Sequence, residues 1–149
     1  MAKPTTLRWS KLSIWVGDGG SPEDFTSQVC GMNAKGMAFS ADMSESSVPD
    51  CDDPDAPSWM ERVTRSLSAG VTGEGLLAEE TFAFWRDWFL SATAKNVRVV
   101  VDLATLPGYF QGSFVLNQFE LNGAEADGKL GVTIGMSSDG PVTWVAGAP

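Results

Sequence analysis

Polarity alternates with a period of two along most of the chain, the pattern of strands that bury one face and leave the other in water. Leu12, Ile14 and Val16 share one face of a first predicted strand, and Phe25 to Cys30 can return beside it across the turn signal Asp18-Gly19. Met37, Phe39, Ala41 and Met43 alternate with Ala38, Ser40, Asp42 and Ser44 in a third strand. In a fourth, Leu67, Ala69 and Val71 alternate with Ser66, Ser68, Gly70 and Thr72. Val97, Val99, Val101 and Leu103 form a fifth, with Arg98 and Asp102 opposite. Phe110, Phe114 and Leu116 set the inward phase of a sixth, but Phe119 and Leu121 fall on the other parity. A period-two pattern changes face only by gaining a residue, so a bulge or sharp bend is predicted near Asn117 and Gln118. Leu130, Val132, Ile134 and Met136 make a seventh strand facing away from Gly131, Thr133 and Gly135, and an eighth covers Val142 to Val145.

One segment departs from this pattern. Between residues 78 and 93, Phe82, Trp85 and Phe89 recur at helical spacing, joined by Thr81, Phe84, Trp88 and Ala92. At about 100° per residue these side chains cover an arc of roughly 160°, with Glu79, Glu80, Arg86 and Asp87 opposite. Glu79 and Glu80 also suit the positive end of the helix dipole. Phe82, Trp85 and Phe89 are the expected core face; Phe84 and Trp88 lie toward one rim, where a neighbouring subunit could cover them. The predicted fold is mainly β: an antiparallel β-sandwich or rolled sheet of about eight strands, with one flanking α-helix and a long inter-strand loop over about 44–62, all in a single domain spanning 1–149.

Composition narrows the chemistry. A chain of 149 residues, 43% hydrophobic and 19% charged, can build one ordinary core. It has no histidine, which removes histidine-based triads, histidine-ligated metals and histidine pH switches. The net charge of -9 has the wrong sign for gripping phosphates, so tight nucleic-acid binding is not expected. The opening residues lack the apolar core of a signal peptide, and no run approaches the length of a membrane span. Cys30 and Cys51 are expected either as two free thiols or as a single bridge.

The acidic, proline-rich stretch Asp50-Cys-Asp52-Asp53-Pro-Asp55 has three readings. Closely spaced carboxylates can hold a hard cation, but the loop-turning Gly and closing Glu of an EF-hand are missing, and the prolines resist folding back. It can be a solvated loop, or a long arm that meets another subunit, with Val48, Trp59 and Met60 as apolar anchors. Gly17-Asp18-Gly19-Gly20-Ser21 lacks the helix and lysine of a phosphate cradle and reads as a hairpin turn. Glu79 and Glu80 read as solvated charges rather than an acid–base pair, the dispersed Lys11, Lys35, Lys95 and Lys129 show no apolar pocket, and no cofactor or metal site is expected. Three strand faces remain: Ser40, Asp42 and Ser44; Ser66, Ser68, Gly70, Thr72 and Glu74; Gly131, Thr133 and Gly135. They are either plain surface or the lining of a wide channel, where short side chains keep the bore open and the lack of cations stops a polyanion from sticking.

The order of these features resembles a family. Lys11-Leu-Ser-Ile-Trp-Val-Gly17-Asp18-Gly19 is followed by Pro22-Glu23-Asp24-Phe25 and the return Val29-Cys-Gly31-Met32. The long acidic loop ends in Trp59-Met60-Glu61, and the segment Arg65 to Gly75 leads into the helix. Tyr109-Phe-Gln-Gly112-Ser-Phe114 then opens a hairpin that ends in Gly131-Val-Thr-Ile134. Over roughly residues 11–137 this order resembles the major tail tube proteins of long-tailed bacteriophages, whose general plan the type VI secretion tube protein shares. The resemblance implies a β-sandwich with a flanking helix, six copies closing into a ring, and rings stacking into a tube through which the genome passes. It implies a long loop that reaches an adjacent subunit or ring, giving Val48, Asp50, Asp52, Asp53, Asp55, Trp59 and Met60 an assembly role. It also implies a bore lined by acidic or neutral residues, here Ser40, Asp42, Ser44, Ser66, Ser68, Thr72, Glu74 and Thr133.

The partners so implied are further copies of the chain and other tail proteins, namely initiator, terminator and tape measure, with DNA passing unbound. The place is the virion tail, after assembly in the host bacterial cytoplasm. This chain departs from the common pattern in its Asp- and Pro-rich loop and its five helix aromatics, and the short segment after Trp144 leaves no expectation of an appended immunoglobulin-like domain. A structural, self-assembling subunit is therefore expected, not an enzyme. The alternatives are a monomeric β-sandwich module that binds a partner protein, and a hydrolase working with carboxylates alone, for which no pair of acids stands out.

Overall fold

The computed structural model describes residues 3–17, 25–26, 32–123 and 128–148. After a short 3-10 turn (Trp9–Lys11) come β1 (Leu12–Gly17), β2 (Phe25–Thr26), β3 (Met32–Val48), β4 (Trp59–Leu76), helix α1 (Glu79–Ser91), β5 (Ala94–Val101), β6 (Gly108–Asn122) and β7 (Gly131–Ala146). All the strands join one antiparallel sheet in the order β2-β1-β5-β6-β7-β4-β3. The residues of the turn at Asp18-Gly19, and most of the expected return from Phe25 to Cys30, lie outside those described.

The mainly β, antiparallel reading with one helix holds, but the count and the sandwich do not. The predicted seventh and eighth strands are a single strand, because β7 stays paired with β6 from Gly131↔Asn122 to Ala146↔Gly108. No separate second sheet is formed by the described strands. Instead the long β6–β7 hairpin belongs to two halves of one sheet: β6 takes β5 on its free side from Gly108 to Val115, and β7 takes β4 from Gly131 to Ser137. The halves bend toward each other. The rings of Phe39 on β3 and Phe110 on β6 lie 5.1 Å apart, although two strands separate β3 from β6 in the sheet. In a flat sheet three strand spacings would hold them about 14 Å apart.

Two irregularities in the β6–β7 ladder make the bend. Leu116 pairs with Met136 and Gln118 with Gly135, so Asn117 is the extra residue that the parity switch between Leu116 and Phe119 demands. Farther along, Gly112 pairs with Val142 and Phe114 with Ser138, which leaves the surplus on β7 at Asp139 to Pro141. Gly140 sits there at φ 105, a conformation that side chains with a Cβ resist.

The core lies in the concavity. Ile14, Val16, Val71, Val97, Val99, Phe114 and Ile134 are each at most 1% exposed, and Trp85 and Trp88 from α1 close the cluster. The helix is amphipathic as expected, but its buried stripe is rotated. Thr81, Trp85 and Trp88 are its buried residues, whereas Phe89, expected in the core, is 43% exposed. Trp88, expected at a subunit-facing rim, is a core residue at 1% exposure, and its Nε1 donates to the Thr93 carbonyl oxygen at 2.9 Å. That bond removes the cost of burying the indole N–H, so the larger Trp88 ring can occupy the core. The helix ends at Ala92 in the left-handed conformation, whose amide donates back to the Phe89 carbonyl.

β3 and β4 form an arm. They pair from Met32↔Gly75 out to Val48↔Trp59, but β4 leaves β7 at Gly70↔Ser137. Beyond that point the two strands have only each other as ladder partners among the described residues, and both are exposed from Phe39 and Ser68 outward. The loop expected over 44–62 is therefore shorter: Ser44 to Val48 and Trp59 to Arg62 belong to paired strands, and only residues 49–58 form the tip. Alternation of Met43, Glu45 and Ser47 continues the strand pattern past Ser44, and the Arg62 Nε donates to Glu45 Oε1 at 2.9 Å across the pair.

Candidate assembly surface

Register decides which side chains share a face. Across the arm and its root, Glu74 pairs with Ala34, Thr72 with Gly36, Ser68 with Ser40, Ser66 with Asp42 and Val63 with Ser44. On the other side of β4, Thr133 pairs with Glu74 and Gly135 with Thr72. Antiparallel partners project to the same side. Ser40, Asp42, Ser44, Ser66, Ser68, Thr72, Glu74 and Thr133 thus stand on one continuous face, and the buried Ala69, Val71 and Ile134 stand on the other. All but the half-buried Thr133 are exposed, and the Ser40 and Ser68 hydroxyls meet at 2.6 Å.

The face is larger than the alternation indicated. Glu120 pairs with Thr133 and Gln118 with Gly135, which adds both to it. They were missed because Asn117 inverts the phase of β6; had the parity rule been carried one step past the predicted bulge, it would have found them. Lys35 and Arg62 register with Gly73 and Glu45 on the opposite side, so no Lys or Arg is registered on this face among the described pairs of β3, β4, β7 and the far half of β6. Asp42, Glu61, Glu74 and Glu120 are registered on it.

A second bulge divides the arm. Asp42 pairs with Ser66 and Met43 with Thr64, which leaves Arg65 as the surplus residue on β4. Without it Leu67, Val63 and Trp59 would share a side. With it Leu67 stays on the core side, with Phe39, Met43 and Met60, while Val63 and Trp59 turn to the side of Val48. Trp59 is 90% exposed and Leu67 77%, and with Phe39, Met60 and Val63 they leave the arm rich in exposed apolar side chains, the mark of a surface that another protein covers. At the tip the Asp52 amide donates to Asp50 Oδ1 at 2.9 Å and the Ala56 amide to the Asp53 carbonyl at 3.1 Å, a turn that leaves the carboxylates of Asp52, Asp53 and Asp55 in solvent.

A groove of about 580 Å³ opens where the arm parts from β7, with Phe39, Leu67, Ala69, Pro141 and Val142 as its apolar lining and Arg65 beside them. On the helix, Phe84 is half-buried, its ring 5.1 Å from Trp85, and lies at the margin of the core rather than on an open rim. The exposed apolar residues of α1 are instead Phe89 and Leu90. Cys51 is an exposed free thiol at the tip; Cys30, and the glycine-rich segment after Gly17, lie outside the described residues. Among the described residues no group of three or more acids or cysteines is placed to hold a metal ion, and no helix is long and apolar enough to cross a membrane.

Solved structures share this fold. The tail of an empty gene transfer agent particle, refined helically with C6 symmetry, aligns with a TM-score of 0.76 at 21% identity, covering 95% of this chain and 100% of that one. The virion of the native gene transfer agent particle gives 0.73 at 17% identity, again over 95% and 100%. The SPP1 tail tube, solved by solid-state NMR and electron cryomicroscopy, gives 0.62 at 9% identity over 93% of this chain and 78% of that one. Among curated proteins, none matches this chain in sequence. The model of the phage tail tube proteins, in contrast, matches residues 10–144, which include the helix, the arm and all of the sheet but the last two residues of β7; the chain belongs to that family, as a structural subunit of a virion tail and not an enzyme.

Proposed function

We propose that six copies of this chain close into a ring around the polar face, and that the rings stack into a tube through which DNA passes without being held. One observation carries the reading: below the outer end of the arm, where Val48, Val63 and Trp59 take over the same side, a face of mostly short side chains, with acids and no registered cation, spans four strands that end in two open edges among the described residues. Among the described residues β3 pairs only with β4, and β6 beyond Val115 only with β7. Unpaired edges invite pairing with another chain, and joining β3 of one copy to the far half of β6 in the next covers that β6 edge and a matching stretch of about seven residues of β3. Six copies then give a barrel of about 24 strands, wide enough for an open channel. The six-fold order is taken from the C6 tail that shares the fold.

Eight residues are assigned to the bore: Ser40, Asp42, Ser44, Ser66, Ser68, Thr72, Glu74 and Thr133. DNA carries about one charge per 1.7 Å of its axis, so a wall with cations would bind it and an acidic wall does not. The arm, with Asp50, Asp52, Asp53, Asp55 and Trp59 at or beside its tip, bridges to an adjacent ring. Initiator, terminator and tape measure proteins complete the tail, which is assembled in the cytoplasm of the host bacterium. Negative-stain micrographs of the purified protein, alone and with its tail initiator, test the proposal. Hollow rings or tubes are expected; a protein that stays monomeric at high concentration and beside the initiator overturns it.

A further inference from the structure

The arm leaves two unsatisfied surfaces at opposite ends, and their chemistries match. At its root is the groove of about 580 Å³ with Phe39, Leu67, Pro141 and Val142 in its lining and Arg65 on its wall. Arg65 makes no ion pair or hydrogen bond among the described residues, whereas Lys11, Arg62 and Arg86 are each paired with a carboxylate. At its far end Trp59 stands 90% exposed with Val48 and Val63 on the same side, and the tip that joins Val48 to Trp59 carries the exposed Asp52, Asp53 and Asp55. The root offers an apolar cleft and a cation without a partner; the tip offers an aromatic ring and anions without partners.

These ends cannot meet within one copy, because the paired strands from Phe39 to Val48 hold them about 30 Å apart. We infer that the arm tip of one copy seats in the root groove of the next, with Trp59 over Phe39, Leu67 and Val142 and the tip carboxylates facing Arg65. The contact is heterologous, so each copy gives a tip and receives one, and it repeats without limit along an axis. The bulge at Arg65 serves it twice. It supplies the cation, and it turns Trp59 to the side opposite Leu67, so the donor surface of an arm is not obstructed by its own acceptor surface. This inference rests on the tube reading and names the receptor that the arm would use there.

Two proteins test the contact. One keeps Cys51 as its only thiol through C30S; the other carries C30S, C51S and T64C, with a tag that shifts its mass. Residue 64 borders the groove, and a disulfide requires Cα atoms within about 7 Å, which the two positions reach only between copies in this arrangement. After co-assembly and oxidation a mixed, disulfide-linked dimer is expected as the main covalent product. Its absence from tubes visible in the same sample overturns the docking and leaves the tube reading standing. Absence of tubes from the unaltered protein, at high concentration and beside the tail initiator, overturns both. Charge reversal gives an independent measurement: R65E is expected to abolish or greatly shorten tubes while the protomer stays folded, and R65E with D52K and D53K to restore them. Tubes of unchanged length in R65E overturn the contact.

Discussion

The indole nitrogen of Trp88 lies 2.9 Å from the carbonyl oxygen of Thr93, so the last turn of α1 is fastened to the residue that precedes β5. The bond crosses the chain reversal at Ala92, a non-glycine residue at φ 54, and helps to hold a backbone conformation that L-residues seldom adopt. W88F keeps most of the apolar volume but leaves that carbonyl without its donor, and is expected to cost about 1–2 kcal/mol. W88A also opens a cavity and should cost about 3–5 kcal/mol. F89S, at a position with the same helical periodicity that is 43% exposed, removes a smaller buried area and should cost clearly less than W88A, about 1–2 kcal/mol. Urea unfolding of the three variants checks the order.

Gly108 is glycine because of Trp144. A Cβ built on Gly108 would come 2.3 Å from Cζ2 of the Trp144 ring, inside any permissible contact. G108A should therefore displace the indole, disturb its packing 4.8 Å from the ring of Phe110, and destabilise the protein by about 1–3 kcal/mol. W144L removes the obstruction, so the double variant G108A/W144L should be less destabilised than the sum of the two single changes. Additive losses in a double-mutant cycle would show that the ring moves aside freely.

Much of this was legible from period and parity. The strand faces of Ile14, Val99 and Ile134 follow from alternation alone, and Asn117 could be placed because Phe114 and Phe119 cannot share a face without an extra residue. The bulge at Arg65 was not legible in the same way. Leu67, Arg65, Val63, Glu61 and Trp59 read as one unbroken phase, and only pairing with β3 shows that the phase breaks. The pause at Asp139 to Pro141 looked like a turn between two strands because its residues favour turns; a glycine at positive φ lets β7 carry the surplus and continue. Trp88 was misplaced for a different reason. Apolarity alone ranks Phe89 with Trp88, and the pattern does not show that the Thr93 carbonyl would satisfy the indole N–H and so let the larger ring be buried.

The arm is separable from the fold. From Phe39 on β3 and up to Ser68 on β4 it is exposed, and it adds nothing to the buried cluster beyond Ala69. Deleting Asp50 to Asp55 should leave thermal unfolding of the protomer within a few degrees of the parent, because little apolar surface is lost. The same deletion should weaken stacking, giving rings or short tubes in place of long ones. Unaltered tube length and salt resistance would remove the tip from assembly.

The bore assignment predicts an effect on genome passage with no matching effect on folding. Asp42 and Glu74 are exposed and share the cation-free face, so D42K/E74K should unfold close to the parent value, surface charges of this kind being worth at most about 1 kcal/mol each. In a six-fold ring the exchange shifts the net charge of the wall by about +24, twelve carboxylates giving way to twelve ammonium groups, enough to hold a passing polyanion electrostatically. Ejection from virions carrying the double variant should slow, and added salt should relieve the delay as the interaction is screened. E120K is the sharper test, because Glu120 reaches this face only through the bulge at Asn117. It should slow ejection as a single change to Asp42 or Glu74 does, whereas a lysine at Ser91, an exposed residue at the end of α1, should leave the rate alone. Normal ejection with D42K, E74K and E120K all verified in the virion would mean that the face looks elsewhere than into the channel.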